Sequence, residues 1–173
     1  MKKYADNLPN ALTAGNFTCG LFAILWLFSG QGPALAVGLI TLGGICDFFD
    51  GYLARKLGVV SNFGKQLDSF ADLITFGVAP VLLVLSTQHV HPPILKIAAL
   101  IYLLAGAFRL ARFNVAADGV FFVGFPITAA GLLLSYSVFF ISQEGRSGVW
   151  LPVVLMVGMA LLMVGRWKII RKI

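Results

Sequence analysis

Charge is scarce in this chain, and acidic charge scarcer still. Only 12% of its 173 residues are Asp, Glu, Lys or Arg, and the acidic ones number 7. A soluble domain carries roughly a quarter charged residues, so a water-facing surface of ordinary composition is excluded. Cysteine is almost missing. Cys19 and Cys46 match neither metal-ligand nor redox spacing, which excludes a zinc module and a disulfide scaffold and leaves them as small apolar residues. No Ser- or Gly-rich linker and no internal repeat breaks the chain, so residues 1–173 are expected to form a single domain. No small-residue cleavage pattern follows the first apolar run, so that run is expected to remain as a membrane span.

Apolar residues make up 59% of the chain. Stretches at 11–29, 34–54, 68–86, 93–113, 125–142 and 149–165 each approach the ~20 residues that cross a bilayer. The expected fold is an all-α integral membrane protein with six transmembrane helices. "MKKYADNLPN" reads as a short N-terminal interfacial helix, with Pro9 marking the break before the first span. The net charge of +6 admits either nucleic acid or a membrane surface as partner, and its distribution decides. Lys2, Lys3, Arg55, Lys56, Lys65, Arg109, Arg112, Arg166, Lys168, Arg171 and Lys172 fall on one side of a six-span arrangement, leaving only Lys96 and Arg146 of the 13 basic residues for the other. By the positive-inside rule both termini are cytoplasmic, in a multi-pass protein of the cell membrane. The basic residues are topology signals and phosphate partners, with no stripe for nucleic acid.

Against this background Asp47, Asp50, Asp68 and Asp72 are conspicuous. Asp47 and Asp50 are three apart, and Asp68 and Asp72 four apart, so each pair shares a helix face. The connection "KLGVVSNF" would fold the two helices into a hairpin with the pairs facing each other. An ionisable group in a span costs about 2.5–3.5 kcal/mol on insertion scales. Four carboxylates that repel one another are tolerable there if cations neutralise them. An all-oxygen donor set suits Mg2+ or Mn2+, and two such ions can clamp a phosphate or diphosphate. Gly51 and Ala54 leave room for a bulky ligand beside the same face. A cation-coupled transporter would also carry carboxylates within its spans, but these cluster at one interface and the chain shows no repeat.

The pattern D-x2-D-G-x2-A-R-x8-G-x3-D-x3-D, from Asp47 to Asp72, resembles the signature of the CDP-alcohol phosphatidyltransferase family. At roughly 5% per residue type, a chance match at a given start is on the order of 10⁻¹⁰. The resemblance implies that Asp47, Asp50, Asp68 and Asp72 bind a pair of divalent ions. It implies that Asp72 is the catalytic base for the acceptor hydroxyl. It further implies that Asp50, Gly51, Ala54, Arg55, Gly64 and Asp68 meet CDP-diacylglycerol, and that the protein is a homodimer among membrane lipids.

"LPNALTAGNFTCGLFAI", "LDSFADLITFGVAP", "FRLARFN" and "FVGFPITAAG" are similar to the phosphatidylserine synthase branch of that family. The branch often reads "GLPSP" or "GMPIP" where this chain has "GFPIT", Gly124 to Thr128. Phosphatidylglycerophosphate synthases commonly carry Arg where this chain has Asn16. The implied reaction transfers a phosphatidyl group from CDP-diacylglycerol to L-serine, giving phosphatidylserine and CMP. Glycerol phosphate or inositol phosphate as acceptor, or an archaeal-type lipid donor, are the alternatives. The residues agree in kind. Arg109 and Arg112 lie three apart at the end of a span, and a guanidinium fork suits a carboxylate or a phosphate. Asn114 could add a hydrogen bond to the amino acid. Lys65 could touch a phosphate or anchor a loop. His89 and His91 have metal-like spacing but no acidic partner nearby in sequence.

Overall fold

The computed structural model describes residues 7–88, 90–115, 122–143, 148–165 and 168–169. Among them the helices are α1 (Leu8–Phe28), α2 (Pro33–Leu57), α3 (Asn62–Thr87), α4 (Pro93–Val115), α5 (Ile127–Gln143) and α6 (Trp150–Val164). The remaining regular structure is one antiparallel pair of two-residue strands, β1 (Phe122–Val123) and β2 (Lys168–Ile169), with Phe122 opposite Ile169.

Apart from that short strand pair the regular structure of the described residues is helical, and α1 to α4 are long and apolar enough to cross a bilayer. The expected six spans divide here. α5 has 17 residues and α6 has 15, which at ~1.5 Å per residue makes them about 26 and 23 Å long against a hydrocarbon core of ~30 Å. Large apolar side chains such as Phe22, Phe28, Leu104 and Leu161 point outward. That is the pattern of a helix surrounded by lipid rather than packed on one side against a core.

Local chemistry explains the boundaries. α2 opens on Pro33, where a missing N–H costs nothing, and closes on Gly58 in the left-handed region at φ 68°. Arg55 and Lys56 occupy its last turn, where the helix dipole favours cations. Ser61 then caps α3, its Oγ accepting the Gly64 N–H at 3.0 Å. Two expectations are corrected. Pro9 does not break the chain before the first span; it is buried within the first turn of α1, a position that tolerates its missing N–H. The third helix starts at Asn62, inside the expected connection of residues 56–63, because Ser61 supplies a cap there. The expected N-terminal interfacial helix falls largely outside the described residues.

α3 changes pitch midway. It is π-helical from Leu73 to Val78, directly after Asp72. Pro80 cannot donate an N–H in the following turn, and the widened turn ends just before it. Tyr102 of α4, wholly buried, donates its hydroxyl to the Phe76 carbonyl at 2.8 Å. A carbonyl that would otherwise be costly at this depth is thereby satisfied. α1 lies against both α2 and α3, and α4 packs chiefly on α6. The buried stripe of α1 is Pro9, Thr13, Asn16, Gly20, Ala23 and Leu27, alternating steps of four and three.

Candidate active site on helices α2 and α3

The buried side of α2 runs through Ala36, Ile40, Gly43 and Asp50, with half-buried Asp47 between the last two. The carboxylates therefore continue the stripe that packs the hairpin. α3 answers from its first turns with Asp68 and Asp72. One oxygen from each of Asp47, Asp50 and Asp68 lies within 4.8 Å of the other two. Asp72, one turn further into α3, stands outside that trio and is only 7% exposed.

Neutral donors from other helices hold three of the carboxylates. Thr13 of α1 donates its hydroxyl to Asp50 Oδ2 at 2.7 Å. Asn16 of α1 donates Nδ2 to Asp72 Oδ1 at 3.3 Å. Thr128 of α5 donates its hydroxyl to Asp47 Oδ2 at 3.1 Å. Asp68 differs, with a buried Oδ1 that has no hydrogen-bond partner. Buried carboxylate oxygens are expensive without partners. An orphaned oxygen beside two more carboxylates, in an all-oxygen set, fits a hard divalent cation, and the cluster could hold one.

Asn16 is itself clamped. It is fully buried, and its backbone carbonyl accepts the Thr75 hydroxyl at 3.0 Å from the π-helical turn. Gly43 makes space for it, since a Cβ there would sit 2.9 Å from Asn16 Oδ1 and 2.6 Å from Thr75 Cγ2. Thr13 and the positioning role of Asn16 were not anticipated from the sequence. The signal was present, because both are polar residues in an otherwise apolar stripe.

Of the residues expected at a nucleotide face, Gly51, Ala54 and Arg55 lie together in the last turns of α2. Gly51 and Ala54 are half-buried on the same side of α2, and the exposed Arg55 folds its guanidinium back to 3.4 Å from where a Gly51 Cβ would stand. Gly64 is packed closer than expected, with Asn10 Oδ1 and Ser61 Oγ each 3.2 Å from the position of a Cβ.

The three residues expected around the acceptor separate. Arg109 is buried, in electrostatic range of Asp72, and its Nε has no partner. Arg112 turns toward α6, donating to the Val164 carbonyl at 3.5 Å and lying over the Phe108 ring. Asn114 donates Nδ2 to Ser69 Oγ at 2.9 Å, tying α4 to α3. Lys65 is half-buried and engaged. His91 is exposed beyond the far end of α3, away from the carboxylates, and His89 lies outside the described residues. Cys19 and Cys46 are free.

A family model described as CDP-alcohol phosphatidyltransferase matches residues 6–165. A protein of Bacillus subtilis named CDP-diacylglycerol--serine O-phosphatidyltransferase is 46% identical over 129 residues, covering 73% of this chain and 72% of that protein. One of the same name from Methanocaldococcus jannaschii is 42% identical over 127 residues, covering 73% of this chain and 58% of that protein. An archaetidylserine synthase of Methanothermobacter thermautotrophicus is 37% identical over 131 residues, covering 74% of this chain and 56% of that protein. The chain thus spans little more than half the length of the two archaeal relatives.

Proposed function

The chain belongs to the CDP-alcohol phosphatidyltransferase family, and from that premise we propose that it transfers a phosphatidyl group from CDP-diacylglycerol to L-serine, releasing CMP. The observation that carries this reading is the three-carboxylate cluster of Asp47, Asp50 and Asp68, with Asp72 next to it and a buried Arg109 in reach of Asp72. The names of the similar proteins supply the acceptor.

In this reading Asp47, Asp50, Asp68 and Asp72 would hold two divalent ions, Mg2+ or Mn2+, whose positive charge would offset the negative charge of the diphosphate and of the departing CMP. Gly51 and Ala54 let the nucleotide lie close to α2, with Arg55 beside it, and Gly64 lets α3 pack closely on Asn10 at the edge of that face. Arg109 has a buried Nε–H left over, and a guanidinium offers a fork to serine's carboxylate. Serine held there brings its hydroxyl toward Asp72, which takes the proton that a neutral alcohol does not release by itself. Asn16 keeps Asp72 turned for that task. Arg112 and Asn114 are committed to α6 and α3 and shape the wall of the acceptor site.

The protein crosses the cell membrane six times, with α5 and α6 as the short spans. Its termini and the α2–α3 turn face the cytoplasm, and it works as a homodimer. A second reading keeps serine and replaces the donor with an archaeal-type lipid, on the likeness to the archaetidylserine synthase. Purified protein would be given CDP-diacylglycerol or its archaeal counterpart, each with serine, glycerol 3-phosphate or inositol phosphate, and the lipid product identified. CMP release with serine alone is expected. Release with glycerol 3-phosphate or inositol phosphate and none with serine would refute the assignment.

A further inference from the structure

Asp47 and Asp50 are three residues apart on α2, so at ~100° per residue their side chains diverge by about 60° around the helix. To present both to one cation, each must be drawn toward the cluster. Thr13 reaches Asp50 Oδ2 from α1, at 2.7 Å, and Thr128 reaches Asp47 Oδ2 from α5, at 3.1 Å. The two donors come from different helices that both pack against α2.

Each hydroxyl is itself placed by its surroundings. A helical Thr ordinarily bonds the carbonyl one turn back, and Thr13 Oγ1 does lie 3.1 Å from the Pro9 carbonyl. One hydroxyl has one proton. The Asp50 oxygen is closer and charged, and charge-assisted bonds are the stronger, so the proton goes to Asp50. Thr128 sits in the first turn of α5. That turn is anchored at Gly124, whose φ of 91° only glycine adopts readily, and by the Phe125 N–H donating to the Leu162 carbonyl at 3.0 Å. The anchor on the end of α6 thus fixes where Thr128 stands over Asp47.

We propose that Thr13 and Thr128 are positioning residues for the metal-binding carboxylates, orienting Asp50 and Asp47 from two different neighbouring helices so that the cluster is formed before a cation arrives. The proposal rests on the metal reading given above. Partners that orient metal ligands typically contribute roughly ten- to a hundredfold in metal affinity or activity.

The test is Mn2+ binding to the full-length purified protein without lipid substrate, followed by the electron paramagnetic resonance of free Mn2+. Thr13→Val and Thr128→Val keep the shape and remove the hydroxyl. Each should weaken Mn2+ affinity roughly tenfold or more, and Thr13→Ser and Thr128→Ser should recover most of it. Thermal stability is measured alongside. Valine variants that lose stability and bind Mn2+ as the parent does would overturn the proposal. So would serine variants as weak as the valine ones. Should Thr13→Val fail to fold, Thr128→Val decides, since Thr128 is half-buried at a helix start. A parent protein that binds no Mn2+ would instead remove the metal reading itself, and this inference with it.

Discussion

Replacing Gly43 by Ala tests whether Asp72 is held through Asn16. The new methyl would stand 2.6 Å from Thr75 Cγ2 and 2.9 Å from Asn16 Oδ1. Non-bonded carbons rest at ~3.5–4.0 Å, so both neighbours must move. Overpacking of this kind costs about 1–3 kcal/mol of stability. Movement of Asn16 also removes its 3.3 Å bond to Asp72. A hydrogen bond to a charged group contributes about 1.5–3 kcal/mol. An Asp72 no longer held toward the acceptor hydroxyl is a misplaced base, and kcat is expected to fall roughly ten- to a hundredfold. The assay is CMP release at saturating CDP-diacylglycerol and serine, with thermal unfolding in the same detergent. Gly38→Ala is the control on the same helix, because nothing lies within 4 Å of a Cβ there. Adding Thr75→Ser to Gly43→Ala removes the clashing methyl, keeps the hydroxyl on the Asn16 carbonyl, and should restore part of the stability. Parental kcat in Gly43→Ala would refute the chain of contacts from Gly43 to Asp72.

Three further outcomes are expected. Chelation should abolish turnover and Mg2+ or Mn2+ should restore it, while Asp47→Asn, Asp50→Asn and Asp68→Asn each lose most activity in a protein that still inserts; full activity in any of them removes that residue from the metal set. Arg109→Gln should raise the serine KM roughly ten- to a hundredfold and Arg112→Gln much less, since Arg109 is buried with an Nε–H left over while Arg112 donates to the Val164 carbonyl; Asp72→Asn should cut kcat with serine KM nearly unchanged, and the opposite ranking of the two Arg variants would place the serine carboxylate elsewhere. For topology, a cysteine placed at exposed Val90 should react with an impermeant reagent outside intact cells and one at exposed Ser61 should not; the reverse would invert the arrangement of termini and site.

Several features were legible in the sequence because they depend on composition and local spacing. The scarcity of charge and the length of the apolar runs determined a helical membrane protein, since a span must satisfy its own backbone and meet lipid along its sides. The positions of α2, α4, α5 and α6 agree with the apolar stretches within a few residues. The spacing of Asp47, Asp50, Asp68 and Asp72 placed two carboxylate pairs on a helical hairpin, because periodicity alone decides which residues share a face. Only the tertiary structure decided which neighbours those carboxylates meet. Thr13 and Asp50 are 37 positions apart, Asn16 and Asp72 56, and Asp47 and Thr128 81. No local pattern relates residues so distant; the packing of α1 and α5 against the hairpin does. The same holds for the acceptor side. Arg109, Arg112 and Asn114 look equivalent as a motif on one helix end. Arg109 is buried while Arg112 bonds to α6 and Asn114 to α3, because a helix turns ~100° per residue among different neighbours.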